Sequence, residues 1–130
     1  MTPYDFEQKV AVGIEVLPQR VRERMKNVVV LIEDEPSAED RKQNHLHKDE
    51  TLLGLYKGIP LSQRGSGYGI GMTMPDSITL YRKPILETAE ERKVSVEKII
   101  SETILHEFAH FLGMNEEEVR AWEARHHQRE

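Results

Sequence analysis

The chain has 130 residues, with 18 Lys and Arg against 23 Asp and Glu, a net charge of −5 and no cysteine. Hydrophobic residues at 38% and charged ones at 32% suit a single ordinary folded domain over 1–130 and argue against a disordered tail or a membrane protein. Without thiols, disulfides, thiolate-held zinc and thiol enzymes drop out, and no Lys/Arg cluster is dense enough to follow a phosphate backbone, so no nucleic-acid partner is expected.

The N-terminal MTPYDFEQKV carries acids where a signal peptide needs a basic start and an apolar run. No apolar stretch approaches the roughly 18 residues of a membrane span, so a cytoplasmic location and no membrane partner are expected. From Tyr4 to Met25 the apolar residues Phe6, Val10, Val12, Ile14, Val16, Leu17, Val21 and Met25 recur mostly at three- and four-residue spacing, interrupted at Pro18. That pattern predicts a helix, a break, and a second short helix. Val28-Val29-Val30-Leu31-Ile32 is a continuous, mostly β-branched run and predicts a buried strand.

Residues 36–50, PSAEDRKQNHLHKDE, hold one large apolar side chain, Leu46, and predict a solvated loop or insertion. His45 and His47 form an H-x-H pair, but nothing nearby supplies a third ligand. Leu52–Tyr56 and Ser77–Arg82 predict a second and a third strand. Between them stand Gly58, Gly65, Gly67, Gly69 and Gly71. A phosphate-loop reading fails, because no Gly-Lys-Ser/Thr follows and the segment runs into a strand and not a helix N-terminus. Two readings stay open: a loop folded over a neighbouring site with Arg64 and Tyr68 as polar contacts, or a purely structural connector.

Pro84 with Glu87, Glu90 and Glu91 predicts a short helix. Ser95 is placed to cap a long helix from Val96 to Leu112 that Gly113 ends, and Asn115 to cap a last helix reaching about Arg125, with Val119 and Trp122 on its buried face. His126–Glu130 reads as a frayed tail. Helices and strands segregate along the chain, which predicts an α+β domain.

The chemistry concentrates in HEFAHFLGMNEEE, residues 106–118. At about 100° per residue, His106 and His110 lie about 40° apart on one helix face with Cβ atoms roughly 5–6 Å apart, so both imidazoles can reach one ion. Glu107 sits on the flank of that face, placed to meet a water held by the ion, where a general base belongs. A catalytic zinc site normally has three protein ligands. Gly113 permits a left-handed turn that returns the chain and presents Glu116, giving HExxHxxGxxE. Acids after Asn115 also suit a helix start, and Glu118 completes a capping box. Glu116, Glu117, a residue of the last helix such as Glu123, or no protein ligand all stay open on spacing alone.

At these residues the chain resembles a family of small bacterial zincin-like metallopeptidases. The stretches that carry the likeness are LPQRVRERMKNVVVLIEDEP, LLGLYKGIPLSQRGSGYG, ITLYRKPILE and LHEFAHFLGMNEEEV, which together span nearly the whole chain. The resemblance implies a minimal zincin fold: a small mixed sheet of about three strands packed on an active-site helix, with additional helices. It also implies one Zn2+ per chain on His106, His110 and Glu116, with Glu107 as general base. The family often has aspartate at the third position, one methylene shorter, and residues 36–50 are longer and more charged than it leads one to expect. Secreted metzincins match only in part, since they use histidine as third ligand and need a downstream methionine turn.

The implied function is zinc-dependent hydrolysis of a peptide or protein substrate. In zincins an extended substrate lies along an edge strand, assigned here to residues 77–82, with Arg64, Tyr68 or Tyr81 assisting the oxyanion. The rival is a non-catalytic peptide- or protein-binding module that keeps the fold with a weak or empty metal site. A further alternative is a core helix in which His, Glu and His coincide.

Overall fold

The structure, a computed structural model, describes residues 2–44, 52–58 and 76–115, followed by 117, 118, 120, 121 and 124. Helix α1 (Pro3–Glu15) starts at a reciprocal capping box: the Thr2 hydroxyl accepts from the Asp5 amide at 3.1 Å, and the Asp5 carboxylate accepts from the Thr2 amide at 3.3 Å. It buries Phe6, Val10 and Gly13. The predicted break falls after Glu15, and Pro18 stands immediately before α2 (Gln19–Arg24). A 3-10 turn over Met25–Asn27 then feeds β1 (Val28–Glu33).

With β2 (Gly54–Lys57) and β3 (Asp76–Tyr81), β1 forms a three-stranded mixed sheet in the order β1-β3-β2. Strands β1 and β3 are parallel, Val28 opposite Asp76 through Glu33 opposite Tyr81; β2 is antiparallel to β3, Gly54 opposite Leu80 and Tyr56 opposite Ile78. Opposed residues share a face, so Val28, Val30 and Ile32 lie with Ile78, Leu80, Gly54 and Tyr56 towards the helices.

Three expectations are corrected here. Among the described residues strand β1 is an edge, and its Val29 and Leu31 are 42% and 44% exposed, where the unbroken apolar run had predicted a buried strand. Residues 77–82 do not form an edge: β3 has a partner on each side, so its backbone groups are used within the sheet and an added strand has no place beside it. Within the expected loop 36–50, residues Ala38–Gln43 form a helix, α3. The Ser37 hydroxyl caps it by accepting from the Asp40 amide at 3.0 Å, acids open its first turn, and Arg41 and Lys42 close its last.

Helix α4 (Arg82–Arg92) follows β3 directly, two residues before Pro84, and ends at Lys93 in the left-handed region. Helix α5 (Val96–Phe111) packs on β2 and β3 and is flanked by α1 and α4. It brings Ile99, Ile100, Ile104, Leu105 and Phe108 into one core with Phe6, Val10, Val21, Ile78, Leu80 and Ile85. Among the described residues no helix is long and apolar enough to cross a membrane.

Phe6 is fully buried and fixes α1 into this core. Phe6→Ala is expected to cost about 3–5 kcal/mol by transfer and cavity terms, a large share of the about 5–15 kcal/mol that holds such a domain. Equilibrium urea unfolding with an unchanged slope checks it; a loss below about 1 kcal/mol would contradict the packing described.

Candidate metal and catalytic centre

Ser95 caps α5, its hydroxyl accepting from the Lys98 amide at 3.1 Å. At the other end the Gly113 amide bonds the His110 carbonyl at 2.9 Å and the Met114 amide bonds the Ala109 carbonyl at 3.1 Å, with Gly113 at φ 79°. This pair of bonds is a Schellman motif, and the positive φ is why the position suits glycine. The turn hands the chain to a second capping box. The Asn115 side chain accepts from the Glu118 amide at 2.8 Å, and the Glu118 carboxylate accepts from the Asn115 amide at 3.2 Å. Glu117, Glu118, Arg120, Ala121 and Ala124 are helical and exposed.

On α5 the rings of His106 and His110 stand edge to face, with centroids 5.0 Å apart and an interplanar angle of 73°. Both residues are partly open to solvent. Centroids 5.0 Å apart keep the two imidazoles near enough for one ion at about 2.0–2.1 Å from a nitrogen of each to lie between them. Two imidazoles at this spacing fit zinc. Among the described residues no group of three or more His, Cys, Asp or Glu is set to hold an ion; Glu116, like Glu123, lies outside them.

Glu107 is only 7% exposed, and its burial is compensated on one oxygen. Oε1 accepts from the Tyr56 amide at 2.8 Å and lies 3.3 Å from His110 Nδ1. A metal-binding histidine commonly gives its second nitrogen to a carboxylate, and this contact engages Nδ1 of His110 in that way. The amide of Tyr56 was missed in sequence, because a backbone donor 51 residues away leaves no side-chain signature.

Tyr81 stands elsewhere. It is fully buried on the sheet face opposite α5, and its hydroxyl donates to Asp40 Oδ2 at 3.3 Å. Lys57 Nζ lies 3.0 Å from the other oxygen of the same carboxylate. Burial raises the pKa of the Tyr81 hydroxyl, and the Asp40 charge adds to it. So placed, the hydroxyl ties α3 to the sheet. Arg64 and Tyr68 lie outside the described residues, as do His45 and His47.

Burial pushes the Asp40 carboxyl pKa up, but the hydrogen bond and charge of Lys57, with Ser37 and Tyr81, outweigh it and hold the group below its ordinary 3.8. A depressed folded-state pKa contributes stability that is present above the unfolded value and is lost as pH falls through the folded one. Asp40→Asn is therefore expected to be less stable than the native chain at about pH 6, with the gap narrowing as pH falls below about 4. Urea midpoints at each pH check this, and a gap that does not change with pH would contradict it.

A small mixed sheet is thus laid on one helix that carries His106, Glu107 and His110, with the glutamate bonded by the neighbouring strand. The chain belongs to the zincin-like metallopeptidase family, whose model matches residues 25–126. Among solved structures it is similar to a conserved hypothetical protein from Thermo thermophilus, with 26% identity over 86% of this chain and 94% of that one and a TM-score of 0.54. No curated protein matches.

Proposed function

We propose that the protein is a zinc-dependent peptidase in which Glu107 is the general base. The observation that carries the reading is the state of that carboxylate: Oε1 is held by the Tyr56 amide and faces His110, while Oε2 has no hydrogen-bond partner among the described residues. His106 and His110 hold the ion, and Glu116 is the third ligand; the turn at Gly113, three positions after His110, supports that choice. Zinc, when bound, supplies Lewis-acid polarisation of a carbonyl and lowers the pKa of water towards about 7.

The chain's own groups do the rest. Oε2 of Glu107 takes the proton from the attacking water and returns it to the leaving amine, while Oε1 stays fixed. An extended peptide aligns along β2, which among the described residues is the edge strand beside α5. The Leu53 carbonyl accepts from the Tyr81 amide at 3.0 Å, which makes 53–81 a hydrogen-bonded pair and turns the Gly54 carbonyl away from β3, where a substrate backbone can donate to it. Arg64 and Tyr68 are carried as oxyanion contacts.

The test is cleavage of a diverse peptide library by zinc-loaded protein, read by mass spectrometry. Zinc-dependent cleavage supports the reading. Peptide capture without turnover would instead favour a binding module on the same fold.

A further inference from the structure

Glu107 is fixed by a strand that never touches the histidine motif in sequence, and the fit between them depends on one glycine. In β2 the N–H groups of Gly54 and Tyr56 point away from β3, because the hydrogen-bonded partners across that pair are 53–81, 55–79 and 57–77. The Tyr56 amide is therefore directed to Glu107 Oε1, at 2.8 Å. To bring it there, β2 lies very close to α5. A Cβ built on Gly54 would sit 2.7 Å from Thr103 Cγ2, 3.1 Å from the Thr79 carbonyl oxygen and 3.5 Å from Glu107 Cγ. Thr103 cannot easily give way, since its hydroxyl donates to the Ile99 carbonyl at 2.7 Å and the residue is buried.

We infer that Gly54 and the Tyr56 amide form a backbone clamp that positions Glu107, dividing its two oxygens between anchoring and proton transfer. The inference rests on the proposed hydrolytic role of Glu107 for its functional meaning, although the clamp itself is a property of the folded chain. Gly54 acts through contact and Tyr56 through its main chain; neither is a catalytic residue. The clamp consequently makes no demand on the side chain at 56, whereas at position 54 it admits only a hydrogen. With Oε1 held, the carboxylate cannot rotate to offer either oxygen at random, so the proton-accepting atom is Oε2.

The experiment measures hydrogen exchange of the Tyr56 amide by NMR in the full chain, alongside zinc content and steady-state kinetics. Glu107→Ala removes the acceptor and is expected to speed exchange at Tyr56 at least tenfold, while Glu107→Gln, which keeps a carbonyl at Oε1, retains most of the protection. Gly54→Ala is expected to lose the protection and to lower kcat at least tenfold, with KM and zinc content changing less than threefold. Adding Thr103→Ser, which deletes Cγ2 and keeps the hydroxyl, should recover part of both losses; a merely structural role would move the melting temperature without this paired recovery. If Gly54→Ala does not fold, the Ala and Gln variants at 107 carry the test alone. Unchanged Tyr56 exchange in Glu107→Ala overturns the clamp. A native chain that cleaves no peptide but loses Tyr56 protection in Glu107→Ala supports the clamp and removes only the hydrolytic reading.

Discussion

Glu107→Gln is expected to lower the rate of peptide cleavage by about 10²–10⁴-fold while leaving zinc bound and the fold intact. The substitution preserves volume at a position only 7% exposed and preserves an oxygen that accepts from the Tyr56 amide, so strand and helix stay together. It removes the one thing the proposed chemistry needs, a basic oxygen at that position. Initial rates against a peptide library, with zinc content measured on the same samples, decide the matter. Equal rates in the two proteins would remove Glu107 from the mechanism, and a loss of zinc in Glu107→Gln would make the carboxylate a holder of the metal and not a base.

Replacing either histidine acts at an earlier step. His106→Ala and His110→Ala each delete one of two imidazoles whose centroids are 5.0 Å apart, and the remaining ring cannot hold the ion at the same strength. Loss of an outer partner of a metal ligand already costs about 10–100-fold in affinity, so loss of a ligand itself is expected to exceed about 100-fold. Both rings are partly exposed, so the apoprotein should unfold close to where the native apoprotein does. The separation shows on adding metal. Zinc at about 100 times the dissociation constant stabilises the native chain by about 2.7 kcal/mol, and the variants should show almost none of that shift at the same concentration. Full zinc occupancy in either variant would contradict the ligand assignment.

Much of the helical part was legible because its signals are local. Pro18 marks the break between α1 and α2, Ser95 and Gly113 bracket α5, and Asn115 with Glu118 opens the last helix, each through hydrogen bonds within a few residues. The pair His106 and His110 with Glu107 was legible for the same reason, since one helix fixes their relative placement. What escaped depends on partners distant in the chain. Alternation along Ser77–Tyr81 does not say whether a strand is central or at an edge, and β3 proved central because β1 and β2 both pair with it. Val29 and Leu31 read as core from their apolarity, yet sit on the open face of an edge strand. Helix α3 is six residues long and its one buried side chain is the charged Asp40, so no apolar period announces it. The Tyr56 contact with Glu107 joins a main-chain group to a side chain across 51 positions, a relation that only the packing of Gly54 against Thr103 reveals.

At the centre stands the claim that an ion on the α5 histidines and a proton on Glu107 together cleave peptide bonds. The most direct measurement titrates metal-free protein with zinc while following cleavage of a peptide library by mass spectrometry, with Glu107→Gln run in parallel. Cleavage is expected to rise to a plateau near one zinc per chain in the native protein and to stay at background in the variant. Native protein carrying one zinc per chain and cleaving no faster than Glu107→Gln would contradict it.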